Sequence, residues 1–187
     1  MKYSALLLLF LLGYVNLISS QNFKKEALEA KDTAYQCFVK TTDSTIIKFE
    51  HLKYKTPPLS YGYLEGDGQK LDYRAEDILC FQDEKGYWLR IVDPSLSRTP
   101  IVGRHSFDNF FAVRLVIGKI EIFRRYSGGE PVFYIKKGTA FQPLDKWGVG
   151  LKNMMTDNEK LYNEIDVSGI ARMKDLVKIA KEYNASK

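Results

Sequence analysis

The chain has 187 residues, of which 45% are hydrophobic and 27% are charged, and its formal net charge at pH 7 is +5. A chain of this length forms one domain, or one domain with an appendage, and buries a proper hydrophobic core. The excess of positive charge is mild and the lysines and arginines are scattered. This pattern is typical of a solvated surface and does not require an anionic partner.

The first twenty residues have the layout of a secretory signal peptide. Lys2 precedes the apolar block Leu6–Leu12, and Ser19 and Ser20 are small residues suited to cleavage, which we place after Ser20. A retained membrane anchor is the alternative, but the uninterrupted apolar block is shorter than the roughly 20 residues that span a bilayer. Cleavage leaves 187 − 20 = 167 residues. The sequence therefore predicts an exported protein, periplasmic or secreted, with no nucleic-acid partner and no transmembrane span after cleavage.

The two cysteines, Cys37 and Cys80, leave two interpretations open. An oxidising destination permits a disulfide, which would close a loop of about 44 residues and stabilise the fold by up to ~4 kcal/mol through chain entropy. Each cysteine also lies inside an apolar run, where a free cysteine often serves as a small core residue. Neither has the histidine or basic neighbours expected of a reactive thiolate.

The chain after the signal peptide divides into three segments. Residues 21–33 are polar and charged and predict a flexible, loosely held leader. Residues 34–145 carry short strand patterns with turn signals at close spacing, which predicts a β-rich domain. Residues 146–187 change to helical periodicity and predict a helical segment packed on that domain.

Hairpin patterns fill the first part of the β-rich domain. Strands are predicted at 34–41, 45–49, 61–64 and 69–73. Residues 51–55 are expected to extend the strand that begins at Thr45. The clearest pattern runs from Ile78 to Val92, where two apolar, aromatic-rich arms flank a turn in which Gly86 is expected to take a positive φ. Both faces of its first arm are apolar, so this arm is expected to be covered on two sides.

The segment 106–118 is ambiguous. Its phenylalanines recur at helical spacing between a serine N-cap and a terminal glycine, which favours a short amphipathic helix. The alternative is a strand from Phe111 to Ile117, because this stretch is rich in β-branched residues. The next two segments, 119–126 and 132–135, predict a pair of strands.

Helical signals dominate the C-terminal segment. The spacing of Thr156 and Glu159 is that of a capping box, and the best helical pattern of the chain begins at Ser168. One face of that helix carries Ile170, Met173, Leu176, Val177, Ala180 and Tyr183. The patterns together predict an α+β fold, with an antiparallel β-barrel or sandwich body, short helices and a C-terminal helical segment.

Five short motifs stand out across residues 34–184. They are Gly66-Asp67-Gly68 before Asp77-Ile78, Gly86 to Ile91, Gly118 to Phe123, Tyr134 to Gly138, and Asp157-Asn158 with Tyr183-Asn184. In these motifs the chain resembles a group of small, uncharacterised exported proteins of Gram-negative bacteria. The resemblance implies a β-rich body with C-terminal helices in the cell envelope, and it implies no activity.

No catalytic or metal-binding constellation is recognisable in the sequence. His51 and His105 are the only histidines, and neither has the spacing of a standard zinc site, which needs at least three protein ligands. The chain has no G-x-S-x-G nucleophile elbow, and its glycine pairs lack the spacing of a phosphate-binding loop. Asn184-Ala185-Ser186 fits a glycosylation acceptor, which matters only in a eukaryotic secretory route. The sequence therefore predicts no metal and no cofactor.

Two basic pairs, Arg124-Arg125 and Lys136-Lys137, are expected to lie near one another if their strands pair, and to form a basic edge. We expect a non-catalytic envelope protein that binds a protein, a glycan or a lipid headgroup through a sheet face or this edge. Two alternatives stay open. One is an envelope hydrolase with His51 or His105 as base in a site assembled from distant residues, and the other is peripheral membrane binding by the basic edge.

Overall fold

A computed structural model describes most of the chain from residue 29 onward. The described residues are 29–32, 34–55, 62–91, 111–125, 131–145, 148–165 and 173–186. Several predictions lie outside these residues: the signal peptide, residues 21–28 and 33 of the leader, and His105. Among the described residues, no helix combines the length and apolarity that crossing a bilayer requires.

The described residues form two antiparallel sheets. The strands in chain order are β1 (Cys37–Thr41), β2 (Ile46–Phe49), β3 (Leu52–Lys55), β4 (Tyr63–Gly66), β5 (Gln69–Lys70), β6 (Ile78–Asp83), β7 (Gly86–Arg90), β8 (Phe111–Val116), β9 (Ile120–Arg125), β10 (Val132–Lys137) and β11 (Ala140–Pro143). The main sheet has the order β11-β10-β9-β8-β7-β6-β1-β2, and the small sheet has the order β3-β4-β5. In the described part of the chain the sheets do not close into a barrel, so the predicted sandwich-like body is confirmed.

A short 3₁₀ helix, Ala75–Asp77, precedes β6, and the described α-helices follow the strands, as predicted. They are α1 (Val149–Asn153), α2 (Glu159–Glu164) and α3 (Met173–Ala185). Asn158 caps α2, because its side chain accepts a hydrogen bond from the backbone of Leu161 at 3.1 Å. The predicted capping box placed the cap two residues earlier, at Thr156. The α+β fold with a C-terminal helix is confirmed.

Two groups of elements cover one face of the main sheet, here called the inner face, each at a different end. The small sheet covers the β1–β6 end, where Leu52, Tyr54 and Leu64 pack against Phe81 and other buried residues. The helices cover the β8–β10 end, and their buried residues are Leu151, Met155, Leu176, Val177, Ala180 and Tyr183. Each such apolar side chain contributes roughly 1.5–3 kcal/mol when fully buried. The inner face therefore supplies most of the hydrophobic core.

Buried Asp83 joins the small sheet to the main sheet. Its Oδ1 accepts hydrogen bonds from the indole of Trp88 at 3.0 Å and from the backbone of Lys85 and Gly86, each at 2.9 Å. Its Oδ2 accepts from the backbone of Tyr54 on β3 at 3.3 Å. Burial raises the pKa of Asp83, and the four donors oppose that rise.

Asn184 clamps the end of α3 onto the turn between β8 and β9. Its Oδ1 accepts from the backbone of Ile120 at 2.8 Å, and its Nδ2 donates to the carbonyls of Ile117 and Ile120 at 3.0 and 2.8 Å. Gly118 makes room for this side chain: its φ is +143°, and a Cβ there would lie 2.5 Å from the Asn184 amide. Asn184, which belongs to the Tyr183-Asn184 motif of the sequence, therefore has a structural role in holding α3 on the sheet.

Three local predictions were wrong. The favoured helix over 106–118 is not formed at Phe111–Val116, where the alternative strand is found as β8. All six of its side chains are buried, and a buried central strand selects the β-branched residues that compete with helical spacing. Residues 52–55 do not extend β2 but pair with β4. Gly86 pairs with Asp83 without a positive φ, because the Asp83 carboxylate holds the turn.

Candidate functional site

The opposite face of the main sheet, here called the polar face, carries charged side chains in its interior. Gln82 lies opposite Tyr87, Arg114 opposite Phe123, and Phe123 opposite Tyr134. Since neighbouring side chains across antiparallel strands share a face, these residues form one row. A second row places Arg125 opposite Ala112 and Val132, and a third places Glu121 opposite Lys136, which lies opposite Phe141.

Arg114 lies at the centre of this face and is 6% exposed. Its Nη1 donates to Glu121 Oε1 at 2.9 Å, and its Nε donates to the carbonyl of Ala30 at 2.8 Å. Its guanidinium carbon lies 4.0 Å from the centre of the Tyr87 ring. No acceptor among the described residues lies within hydrogen-bond distance of its Nη2, which is buried.

Arg125 is the second buried cation and is 4% exposed. Its cross-strand neighbours, Ala112 and Val132, are both apolar. Its Nε and Nη1 are buried, and the described part of the chain offers neither atom a hydrogen-bond acceptor. Buried arginines are almost always paired, and an unpaired buried charge is strongly unfavourable. The site is therefore short of negative charge.

Glu121 bridges the buried and the accessible parts of the site. Its Oε1 accepts from Arg114, and its Oε2 accepts from Lys136 Nζ at 3.0 Å. The Lys136 side chain is 37% exposed. Among the described residues, Glu121 is the carboxylate that hydrogen-bonds to this cluster, and Arg114 and Lys136 share it.

Cys80 and Tyr87 border Arg114 and stay neutral. Their side chains hydrogen-bond to each other, and burial raises the pKa of both the Cys80 thiol and the Tyr87 hydroxyl. Both groups are therefore protonated near pH 7. They contribute a polarisable sulfur atom and a hydroxyl group to the surroundings of Arg114, and neither is a ready nucleophile or base.

Aromatic rings connect the arginines to the surface. Phe141 on the edge strand β11 stacks on Tyr134 at 5.4 Å between ring centres and 10° between planes, and it meets the edge of Phe123 at 6.1 Å. Phe123 and Tyr134 are buried, whereas Phe141 is 36% exposed. The cluster thus leads from the row of Arg114 to solvent.

The N-terminal side of β1 crosses this face. Gln82 accepts from the backbone of Asp32 at 2.7 Å, and its Nε2 donates to the carbonyls of Asp32 and Tyr35. Arg114 also holds this segment through Ala30. The described part of the predicted loose leader, residues 29–32, is therefore fixed to the sheet, which the sequence did not indicate.

The predicted basic edge does not form. Arg124 and Arg125 point to opposite faces, as do Lys136 and Lys137, because adjacent strand residues alternate. Arg125 pairs with Val132 and Lys137 with Ile120, so the two basic pairs lie at opposite ends of the β9–β10 hairpin. Lys137 donates to Asp157 Oδ1 at 2.8 Å under the helices. The strands are also interior, since β11 flanks β10.

Of the two interpretations that the cysteines left open, the disulfide does not form. Cys37 and Cys80 are both free and buried. Cys37 belongs to the core of the inner face, whereas Cys80 lies opposite Lys40 and Leu89 on the polar face. Because the two thiols project from opposite faces of one sheet, the alternative of two separate buried thiols describes this fold.

His51 is a surface residue at the start of β3. Its Nδ1 lies 3.4 Å from Glu84 Oε1, and its side chain is 72% exposed. Its backbone amide donates to Asp67. No serine or cysteine side chain of the described residues hydrogen-bonds to His51, so a histidine and a carboxylate meet here without a nucleophile.

Little in the amino-acid sequence indicated this site. Of its charged residues, Arg125 and Lys136 were singled out, but for a surface edge rather than a buried cluster. The sequence contained one indication of a buried charge: Arg114 is the one charged residue in the six-residue run Phe111–Val116. On the predicted helix it would share a face with Phe107, Phe110 and Phe111, whereas strand β8 places it on the polar face of the main sheet. Comparisons of this chain with protein families, curated proteins and solved structures find no match.

Proposed function

We propose that this protein is an exported, non-catalytic binding protein that holds an anionic ligand between Arg114 and Arg125. The observation that carries the proposal is the set of buried guanidinium nitrogens, Arg114 Nη2 with Arg125 Nε and Nη1, that have no acceptor among the described residues. Hydrogen bonds from arginine to an anion are short and strong. An anionic ligand supplies the charge and the acceptors that the site lacks.

Among the described residues beside the arginines no ready catalytic group is found, and this supports binding over turnover. Cys80 and Tyr87 are protonated near pH 7, and Glu121 is engaged by Arg114 and Lys136. A general base needs a free acceptor within hydrogen-bond reach of the proton that it removes. This cluster instead presents hydrogen-bond donors, which bind a ligand that already carries a negative charge.

Export is supported by the apolar leader before Gln21 and by the resemblance to exported proteins. The test is N-terminal sequencing of the protein recovered from a Gram-negative host after fractionation. The expected result is a first residue of Gln21 in the periplasmic or secreted fraction. Recovery in the cytoplasm with Met1 retained would contradict the export part of the proposal and leave the anion site unaffected.

The anion site is tested by thermal unfolding of purified protein with chloride, acetate, phosphate and sulfate at constant ionic strength. A ligand that binds only the folded state stabilises by about 2.7 kcal/mol at 100 times its dissociation constant. At least one anion is expected to raise the melting temperature saturably, and Arg125→Met is expected to abolish that rise. Equal shifts in the melting temperature of Arg125→Met and of the unsubstituted protein would overturn the proposal. So would the lack of a saturable shift with all four anions and with 2-naphthoate.

A further inference from the structure

We infer that the ligand is an aromatic monocarboxylate, a single carboxylate carried on a flat ring system. The inference rests on the proposed anion site and adds the charge and the shape of its occupant. Two independent features of the polar face support it: the balance of buried charge and the partly exposed aromatic stack that ends at Phe141.

The buried charges set the charge of the ligand. Among the described residues, Arg114, Arg125 and the largely buried Glu121 are the charged groups in the inner part of the cluster, and two cations against one carboxylate leave one positive charge. Lys136 is half in solvent, where water and salt screen it. A monoanion neutralises the buried part, whereas a phosphate dianion leaves an excess negative charge that is costly to bury.

Planar carboxylates also suit these donors. The site presents N–H groups of guanidinium planes, whose flat geometry matches the two oxygens of a carboxylate. Arg114 already donates one hydrogen bond to a carboxylate, from its Nη1 to Glu121 Oε1 at 2.9 Å. The ligand carboxylate thus repeats, at Arg114 Nη2 and Arg125, a contact that the fold makes for itself.

The aromatic stack sets the shape of the rest of the ligand. Phe141 lies nearly parallel to Tyr134 and edge-on to Phe123, and part of its ring faces solvent. Aromatic pairs of this kind contribute beyond the area that they bury. A flat ring system on the carboxylate extends the stack, and the cross-strand neighbours Lys136 and Phe141 place a partly exposed cation and a partly exposed ring beside each other at this point.

The experiment compares three probes on the purified protein: 2-naphthoate, the neutral alcohol 2-naphthalenemethanol, and inorganic phosphate. Binding of the naphthalene compounds is followed by fluorescence, and that of phosphate by competition and by thermal unfolding. Naphthoate is expected to bind at least 10-fold more tightly than either other probe. Phe141→Leu is expected to weaken naphthoate roughly 3- to 10-fold, with phosphate unchanged. The control Ile46→Ala removes an exposed apolar side chain on distant β2 and is expected to change nothing.

The outcomes distinguish a failure of the aromatic monocarboxylate assignment from a failure of the anion site itself. Arg125-dependent binding of small anions without a preference for naphthoate would overturn the inference and keep the anion site. Equal binding of naphthoate and its alcohol would also overturn it, because the charge would then contribute nothing. Naphthoate binding that persists in Arg125→Met but falls in Phe141→Leu would indicate an apolar surface site and overturn both.

Discussion

Arg114 on β8 and Glu121 on β9 form a 2.9 Å ion pair in the interior of the polar face, and no described residue accepts a hydrogen bond from Arg114 Nη2. Glu121 therefore neutralises part of the site without saturating it. A buried cation with spare donors is costly in the ligand-free protein. A bound anion offsets that cost, so removing one of the cations is expected to stabilise the ligand-free protein and to weaken anion binding.

Arg125→Met is expected to raise the free energy of unfolding of the ligand-free protein by about 1–3 kcal/mol, because it removes an unpaired buried charge and keeps an apolar side chain of similar length. Urea unfolding at pH 7 measures the change. The matched control is Arg90→Met: Arg90 Nη1 donates to the carbonyl of Glu76, so this variant is expected to show no gain. A loss of stability in Arg125→Met would mean that its guanidinium is satisfied in the folded protein.

Glu121→Gln is expected to bind an anion more tightly and to fold less stably. The substitution keeps the shape of the side chain but removes the negative charge shared by Arg114 and Lys136. Loss of one partner of a buried charged hydrogen bond costs about 1–3 kcal/mol. Isothermal titration with naphthoate and urea unfolding give the two quantities. If affinity falls together with stability, Glu121 shapes the site rather than competing with the ligand.

Asp83→Asn is expected to lower the free energy of unfolding by about 1–3 kcal/mol, because an amide NH₂ then faces backbone or indole donors in a buried setting. Its carboxylate now accepts from Trp88, Lys85, Gly86 and Tyr54. Asp72→Asn is the control, since Asp72 is exposed, and it is expected to change stability by less than about 0.5 kcal/mol. Equal effects of the two substitutions would show that Asp83 does not join the sheets.

Asn184→Ala is expected to lower the free energy of unfolding by about 1–3 kcal/mol, because it leaves the part-buried backbone of Ile120 without its partner. Asn163→Ala on the exposed side of α2 is the control. Hydrogen exchange of the Ile120 amide locates the change. Protection of that amide unchanged in Asn184→Ala would contradict the clamp.

Acid is expected to weaken the contact between α3 and β10. Hydrogen bonds from Lys137 and Tyr183 lower the pKa of Asp157 to about 2, from an ordinary value of 3.8. Because the folded-state pKa is lower than the unfolded-state pKa, this contribution is complete above about pH 4 and is lost as the pH falls toward 2. Asp157→Asn should flatten the dependence of stability on pH in that window. An unchanged slope between pH 4 and pH 2 would remove Asp157 from this role.

The fold was more predictable from sequence than the site. The pattern of Ile78 to Val92 predicted the β6–β7 hairpin because two apolar arms around a turn have few other uses. Edge strand β11 was missed because all four of its residues are exposed, so no apolar alternation marks it. Arg114 was missed because the burial of β8 depends on neighbouring strands, and these are formed by residues distant in sequence.

The central claim is that Arg114 and Arg125 hold the ligand, and the arginine side-chain ¹⁵Nε–¹H spectrum of the purified protein tests it most directly. Titration with 2-naphthoate is expected to shift the Nε–H signal of Arg125 saturably, with a smaller shift at Arg114, whose Nε already donates to Ala30. The Nε–H signal of Arg90, on the neighbouring strand β7, is expected to stay in place. Saturable binding of naphthoate with both site signals unmoved would contradict the account.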